Sequence, residues 1–282
     1  MLSKYWLFVL FALALCQPAF AAADIVITFP RPETGPDTRA RYPLRLLEAA
    51  LQKSGRPYKI KLFSLPMLQG RALLRLENRE GIDVLSTMTS IERESRLQAI
   101  RIPIDKGMLG WRLLMIRSAD ADRFAAVRTL DELRQLVAGQ GSDWPDAQIL
   151  RANGFTVHGT SNYEALFNML DKKRFDFFPR GATEIWREIE LYQPRLMVEP
   201  TIVLRYPSAI YFFVRKSDTA LAADIEHGLQ KMIADGSFDR LFQEHFGAMI
   251  VRSNLKGRRI FDLDNPTIPP MPAATRSLLY RE

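Results

Sequence analysis

The order in which strand-like and helix-like segments alternate constrains this chain most. Residues 25–29 are rich in β-branched and aromatic side chains, and residues 43–54 carry leucines at helical spacing. A strand pattern at 58–62, a helical pattern at 66–80 and a strand pattern at 82–85 follow. Such alternation is typical of α/β proteins with parallel strands. We therefore predict an α/β fold, with a polar turn at 86–90 at the ligand-binding end of its sheet.

The alternation resumes after residue 108 and indicates a second α/β unit. Helix starts are marked by capping boxes at residues 129–132 and 161–164. The remaining patterns predict strands at 111–116, 174–178, 196–198 and 210–214, and helices at 181–191, 219–235 and 238–247. After residue 251 the chain becomes basic and then rich in proline. We predict that residues 251–282 form a proline-containing tail that runs over the surface.

The first 21 residues carry the pattern of a secretory signal peptide. Lys4 precedes a short apolar run, and Ala19, Phe20 and Ala21 form a small-x-small cleavage pattern. Lipidation at Cys16 is disfavoured because Leu15 precedes it, and a membrane anchor is disfavoured because the apolar run is short. We expect the mature protein to work in the periplasm.

Composition excludes several classes of function. The single cysteine rules out an internal disulfide and a cysteine-ligated metal site, and the three histidines are far apart in the sequence. We expect neither a metal nor a cofactor. The formal charge is 39 − 32 = +7, but the basic residues are spread along the chain rather than interleaved with aromatic ones. Nucleic acid is therefore not an expected partner.

Several short motifs resemble those of one protein family. One segment resembles type 2 periplasmic solute-binding proteins, in which similar short motifs occur in the same order. Its motifs are Gly-Ile-Asp-Val at 81–84, Met-Thr at 88–89 and Glu-Arg at 92–93. The resemblance is to family 3 of the binding proteins of ABC transporters, which includes polar amino-acid binders. Further matches follow in order at residues 129–133, 174–176, 215–216 and 235–238. The likeness runs from about residue 25 to 247, with this chain as a divergent member.

The resemblance implies a two-lobed Venus-flytrap fold with mixed, mostly parallel sheets and a ligand cleft between the lobes. Lobe 1 would comprise residues 24–107 and 206–250, and lobe 2 residues 108–205. Ligand capture by hinge closure is the motion that this architecture implies.

Arg93 is the first site residue that the resemblance implies. In amino-acid-binding relatives the arginine of this element pairs with the ligand's carboxylate, and a planar guanidinium offers two parallel donors for that purpose. The alternative is an exposed helical arginine that pairs with Glu92 or Glu94. Backbone N–H groups and hydroxyls at Thr87, Met88 and Thr89 would add donors. Their alternative role is to cap the following helix.

In lobe 2 the sequence departs from the amino-acid-binding pattern. Relatives place an aspartate for the ligand's ammonium where this chain has Gly181, next to Arg180. A second anionic group on the ligand is one interpretation, and pairing of Arg180 with Glu184 is the other.

Four further lobe 2 or hinge positions are candidates. Gln140 and Gly141 lie in the Gly-Gln-Gly-Ser run 139–142, which predicts either an anion-binding nest at the cleft rim or a plain turn. Trp144 and Tyr206 are placed to stack on a ligand or to pack in the core.

These observations predict a periplasmic solute-binding protein without catalytic activity. It would capture a small polar or anionic, amino-acid-like metabolite for a membrane permease or a sensor, and act as a monomer. One alternative is a ligand-free interaction or sensory module of the same fold, with the tail as its contact. A dehydratase-like enzyme is the other, for which Glu184 is the candidate acid.

Overall fold

The computed structural model of the protein describes residues 24–33 and 38–281. The predicted signal peptide lies outside the described residues. The strands are β1 Ile25–Arg31, β2 Tyr58–Pro66, β3 Leu85–Met88, β4 Gln98–Ile100, β5 Trp111–Arg117, β6 Ala138–Gly141, β7 Val157–Thr160, β8 Phe177–Gly181, β9 Leu196–Arg205, β10 Ile210–Val214 and β11 Arg259–Asp262. The helices are α1 Arg41–Ser54, α2 Gln69–Glu77, α3 Ile91–Arg96, α4 Ala121–Ala125, α5 Leu130–Arg134, α6 Pro145–Ala152, α7 Tyr163–Asp171, α8 Ile185–Ile189, α9 Thr219–Ala234, α10 Ser237–Ser253 and α11 Ala273–Ser277. Within the described ranges, no helix has the length and apolar character that crossing a membrane requires.

Lobe 1, as we use the term below, consists of β1–β4, β10 and the helices packed on them. Strands β1 and β2 pair in parallel, and β10 pairs antiparallel with β3 and β4. Helix α1 buries Leu46, Leu47 and Leu51. It packs on α9, where a Cβ added to Gly228 would lie 1.9 Å from the carbonyl oxygen of Ala50. A glycine is therefore required at this crossing.

Lobe 2 is built on one mixed six-stranded sheet in the order β11-β9-β5-β8-β6-β7. The central strand β5 is buried along its whole length and runs antiparallel to β8 and β9. Strand β6 runs parallel to β7 and β8, and β11 runs parallel to β9. Because β6 and β8 run in the same direction, the segments that follow them reach the same edge of the sheet, which faces lobe 1.

The chain crosses between the sheets of the two lobes at residues 101–110 and 206–209. The backbone N–H of Tyr206 donates to the carbonyl oxygen of Gly110 at 3.1 Å. A Cβ at Gly110 would lie 2.1 Å from the carbonyl oxygen of Tyr206, so only glycine allows this approach. The buried Asp105 carboxylate accepts backbone N–H bonds from Leu109 and Ile210 at 2.8 and 3.0 Å and thereby joins the first crossing to β10. The exact residue limits of the lobes stay a prediction.

Some local predictions were wrong. The predicted turn at 86–90 is largely strand β3, because its backbone groups pair with β10, and that pairing is antiparallel rather than parallel. Residues 82–84 precede the strand, and Asp83 bonds to Thr28 of β1 through its backbone N–H and its carboxylate. The helix predicted at 181–191 is reduced to α8, because β8 extends to Gly181.

The C-terminal segment also differs from its prediction as a surface tail. Helix α10 continues to Ser253, and β11 joins the lobe 2 sheet as its edge strand. The chain then passes the hinge, where Asn265 donates to the carbonyl oxygen of Pro207 at 2.7 Å. Beyond this point the segment forms hydrogen bonds with lobe 1, for example between Thr267 and Ile91. We call residues 259–281 the C-terminal strap.

Candidate functional site

A cleft of about 250 Å³ lies between the lobes. Lobe 1 contributes residues 29–33 and 38–43 and part of β3, and lobe 2 contributes the starts of α6 and α7 and the region around α8. Its lining is rich in aromatic and charged side chains, which include Glu33, Arg39, Tyr42, Gln69, Thr87, Arg112, Trp144, Asp146, Tyr163, Arg180, Glu184, Arg187, Glu188, Tyr192 and His245.

Arg93 lies behind the lobe 1 wall of this cleft. The side chain of Ser90 caps α3 by accepting from the backbone N–H of Arg93 at 3.1 Å, which fixes the start of the helix. The guanidinium donates through Nη1 to the hydroxyl of Thr87 and the carbonyl oxygen of Met88, both at 2.7 Å. Its Nη2 donates to Oε1 of Gln69 at 2.9 Å.

All of these partners of Arg93 are neutral. Arg93 is only 4% exposed, and among the described residues no carboxylate forms an ion pair with it. Burial lowers the pKa of its guanidinium to about 10, so the group stays charged at neutral pH. A buried cation without a counter-charge is costly, and an anion brought to the cleft would offset that cost.

On the lobe 2 side, Arg112 is bound to two buried partners. Its Nε donates to the hydroxyl of Tyr206 at 2.8 Å, and its Nη2 forms an ion pair with Asp146. The Tyr206 hydroxyl also donates to Asp146. This triad joins the hinge to the start of α6 and leaves Arg112 neutralised.

Arg180 is likewise neutralised within lobe 2. Its guanidinium makes two parallel bonds to Glu188, at 2.7 and 2.6 Å, and lies 3.1 Å from Oε2 of Glu184. The hydroxyl of Tyr163 donates to the same Glu188 at 2.8 Å. Of the two interpretations of Arg180, its pairing with Glu184 is present, but the arginine is buried rather than at the surface and Glu188 is its second partner.

Glu184 is the acid of this cluster that faces the cleft. Its side chain is 16% exposed, against 5% for Asp146 and 7% for Glu188. The backbone N–H of Gly181 donates to its Oε2 at 3.1 Å. Burial alone would raise the pKa of Glu184, but the positive charges of Arg180 and Arg112 outweigh burial and hold that pKa below its usual value. Glu184 therefore presents a negative charge to the cleft.

Two aromatic side chains of lobe 2 hold a lobe 1 arginine. The guanidinium carbon of Arg39 lies 4.1 Å from the ring centroid of Tyr163 and 5.3 Å from that of Trp144. Its charge also contributes to the low pKa of Glu184. These distances are typical of cation–π contacts.

One residue of lobe 2 reaches the lobe 1 wall. Asp143 precedes α6, and its Oδ2 accepts from the backbone N–H of Gly70 at 3.2 Å, in the first turn of α2. Its carbonyl oxygen accepts from Nη2 of Arg93 at 3.4 Å. The Asp143 carboxylate is thus held near the buried cation without forming an ion pair with it.

The sequence matches no family model and no curated protein. Its structure is similar to many solved structures. An ancestral arginine-binding protein bound to arginine has a TM-score of 0.60 and 16% identity, with 79% of this chain and 98% of that one covered. A His/Glu/Gln/Arg/opine family-binding protein from Silicibacter pomeroyi, in complex with lysine, has a TM-score of 0.61 and 14% identity, with 79% and 97% covered.

A histidine kinase sensor domain with similarity to periplasmic binding proteins has a TM-score of 0.60 and 16% identity, with 79% of this chain and 96% of that one covered. The protein has the two-lobed fold of periplasmic binding proteins. The prediction of an α/β Venus-flytrap fold with mixed sheets and a cleft between lobes is thereby confirmed.

Within this periplasmic-binding-protein fold, the lobe 1 candidates lie close together. Thr87 and Met88 line the cleft and bond to Arg93 behind them. Thr89 is buried and points elsewhere: its hydroxyl donates to Glu94, and its backbone N–H donates to Ala209 in the hinge. Their roles in binding stay a prediction.

The lobe 2 candidates are more scattered. Trp144 and Arg180 line the cleft, whereas the Tyr206 ring is buried behind it. Gln140 and Gly141 belong to β6, so neither the nest nor the turn predicted for residues 139–142 is correct. Parallel pairing with β7 places these residues within the sheet, and the Gln140 side chain is fully buried.

Sequence reasoning missed Gln69, Asp143, Arg39 and Tyr163 as parts of the site. Arg39 and Asp143 reach the site only because the two lobes face each other, and no local motif marks them. Tyr163 is the first residue of α7, which is capped by Asn162 and not by the capping box predicted at 161–164, and this helix start at the edge of the sheet was the available signal.

Proposed function

We propose that the protein captures a small, polar, amino-acid-like metabolite in the cleft between its lobes by hinge closure. The observation that carries this proposal is the buried Arg93, which has neutral partners only and lies directly behind the cleft wall. A ligand carboxylate that displaces Gln69 from Nη2 would gain a charge-assisted hydrogen bond in a partly dry site. Thr87 would add a hydroxyl donor.

The opposite wall supports a cationic group on the same ligand. Arg180 is occupied by Glu188 and Glu184, so it offers little to a second anion. Glu184 is ionised, faces the cleft and is held in place by the backbone N–H of Gly181. We therefore propose a zwitterionic ligand, with its carboxylate toward lobe 1 and its cation toward lobe 2.

Binding without catalysis is the role that the charge state of Glu184 supports. A general acid needs a raised pKa, so that it is protonated before it donates. The neighbouring arginines instead hold the pKa of Glu184 below its usual value. This direction of the pKa shift favours a binding role for Glu184 over the role of general acid in the dehydratase-like alternative.

The proposed setting is the periplasm, where the protein would work as a monomer and deliver its ligand to a permease or report it to a sensor. The fold serves both roles among the similar structures, which include an amino-acid ABC transporter binding protein and a histidine kinase sensor domain.

A thermal-shift screen tests the proposal. Residues 22–282 would be heated with amino acids, dicarboxylates, polyamines, sugars and murein fragments. A ligand at 100 times its Kd stabilises the protein by about 2.7 kcal/mol. We expect the hits to carry a carboxylate and a cation. If none of the library stabilises the protein, the solute-binding proposal is wrong, and the interaction-module alternative takes its place.

A further inference from the structure

Each wall of the cleft is contacted by a charged side chain from the opposite lobe. Asp143 of lobe 2 places its carboxylate on the backbone N–H of Gly70, at the start of α2, and its carbonyl oxygen on Arg93. Under the proposed function a ligand carboxylate would use Arg93, and the negative charge of the Asp143 carboxylate already acts on that guanidinium. Asp143 thus places a carboxylate beside the proposed anion anchor, behind the lobe 1 wall of the cleft.

Arg39 of lobe 1 makes the reciprocal contact. Its guanidinium lies against the rings of Tyr163 and Trp144, and its positive charge acts on Glu184. Two aromatic rings and an ionised carboxylate form a cage suited to a planar cation. The guanidinium of Arg39 already lies in that cage, and the buried guanidinium of Arg180 lies 5.1 and 5.8 Å from the centroids of the same Trp144 and Tyr163 rings.

We infer that Asp143 and Arg39 are internal competitors of the ligand, which latch the lobes together and select for a molecule with a carboxylate at one end and a guanidinium-like cation at the other. This inference rests on the proposed function. A ligand with both groups replaces both latch contacts at once. A ligand with one group leaves the other contact in place.

The energetic consequence follows from competition. When only a fraction of the protein is in the binding-competent state, the apparent Kd equals the intrinsic Kd divided by that fraction, so binding is weaker. Removing an internal competitor raises that fraction. Each deletion should therefore tighten binding only of probes that carry the charge of the deleted side chain.

The variants are Asp143→Ala, Arg39→Ala and the double variant. The matched controls are Asp122→Ala and Arg151→Ala, singly and together, because these two exposed residues lie away from the cleft and remove the same charges. Thermal unfolding of every variant would establish that it folds. The probes are L-arginine, which has both ends, agmatine, which lacks the carboxylate, and L-norvaline, which lacks the guanidinium.

Small-angle X-ray scattering without any probe tests whether the two contacts hold the lobes together, because it measures the radius of gyration. We expect the double variant to have a larger radius of gyration than the wild type, and the control pair to match the wild type. Equal radii for all three would overturn the latch, whatever the result of the ligand screen.

Titration calorimetry measures the affinity of each variant for the three probes and thereby tests the ligand selectivity. We expect Asp143→Ala to bind L-arginine and L-norvaline about tenfold more tightly than the wild type, with agmatine unchanged. Arg39→Ala should tighten L-arginine and agmatine, with L-norvaline unchanged. Wild-type binding with no such pattern in the variants would overturn the inference and leave the proposed function standing. Absence of binding by every variant would overturn the ligand class, and the thermal-shift screen would then judge the proposed function separately.

Discussion

Arg93 and Arg180 are both buried arginines, but they differ in the atoms that their guanidinium groups contact. Arg180 faces two carboxylates, which neutralise it within lobe 2. Arg93 faces a hydroxyl, a side-chain amide and two carbonyl oxygens, which satisfy its donors without cancelling its charge. Burial alone therefore does not mark an anion site. The partners decide which of the two cations is available to a ligand.

The first prediction concerns Arg93. Replacing Arg93 by alanine should weaken binding of a carboxylate ligand, identified by the thermal-shift screen, by about 2–5 kcal/mol, because its counter-charge is lost in a desolvated site. Titration calorimetry measures the change, and circular dichroism checks the fold. Arg71→Ala removes an exposed arginine of α2 and serves as the control. Unchanged affinity in the Arg93 variant would remove the proposed anchor.

The second prediction concerns the pH dependence that Glu184 contributes. Its pKa in the folded protein lies below the ordinary value of 4.5. A carboxyl with a lowered pKa stabilises the fold above its unfolded-state pKa, and that contribution disappears as the pH falls through the folded-state pKa. We expect Glu184→Gln to lower the free energy of unfolding by about 1–3 kcal/mol at pH 7.

Urea unfolding at a series of pH values measures this effect. The difference between wild type and Glu184→Gln should be constant near neutral pH and shrink below pH 4.5. Glu226→Gln, at an exposed position of α9, should show no comparable difference. A difference that grows on acidification would contradict the assigned charge state.

At the scale of elements, sequence periodicity predicted some segments well and others poorly. Helix α9 was predicted at 219–235 and spans Thr219–Ala234, because its apolar residues recur at helical spacing and Gly236 ends it. Strand β6 was missed because a four-residue run with two glycines carries no strand pattern. Its structure depends on β7 and β8, and Phe175 fills the space where a Cβ of Gly139 would be.

The site likewise has parts that local sequence predicts and parts that depend on residues far apart in the chain. Arg93 was proposed from a local motif that resembles a known family, and its place in the fold is also fixed locally, by the helix cap of Ser90 three residues away. The contacts of Asp143 with Gly70 and of Arg39 with Tyr163 join residues that are far apart in sequence. They require both lobes to be folded and facing each other. Neither composition nor spacing carries that information.

The third prediction tests the contact between α1 and α9. Alanine has a higher helix propensity than glycine by about 1 kcal/mol, so a helical Gly→Ala change is favourable where space allows. At Gly228 the new methyl group would lie 1.9 Å from the carbonyl oxygen of Ala50, which belongs to the backbone and cannot move aside. We expect Gly228→Ala to destabilise the protein by about 1–3 kcal/mol in urea unfolding.

Gly247→Ala is the matched control for this change. Gly247 lies in α10, and its new methyl group would meet only the side-chain oxygen of Gln243, at 3.0 Å, which rotates away easily. This variant should be as stable as the wild type or slightly more stable. Equal destabilisation by both variants would mean that loss of a close helix crossing is not the cause.

At the scale of the whole molecule, the lobes are joined by more than the two hinge crossings. The C-terminal strap begins as β11 in the lobe 2 sheet and ends against lobe 1. There the carbonyl oxygen of Thr267 accepts from the backbone N–H of Ile91 at 2.7 Å, and the hydroxyl of Thr275 donates to the carbonyl oxygen of Arg101 at 2.8 Å. Residues 254–258 also lead from α10 on lobe 1 to β11 in the lobe 2 sheet, so any closing motion must bend or carry two further segments.

The last prediction concerns the contact of the C-terminal strap with lobe 1. Deletion of residues 264–282 should lower the free energy of unfolding by at least about 4 kcal/mol, because at least four hydrogen bonds of about 1 kcal/mol each are lost. They join lobe 1 and the hinge crossings to the strap, as the pairs Ile91–Thr267, Arg101–Thr275, Lys106–Tyr280 and Pro207–Asn265. Urea unfolding measures the loss, and deletion of residues 281–282 alone is the control. The truncated protein should also show a broader distribution of interlobe distances in spin-label measurements. A truncation that leaves both stability and distances unchanged would show that the strap only covers the surface.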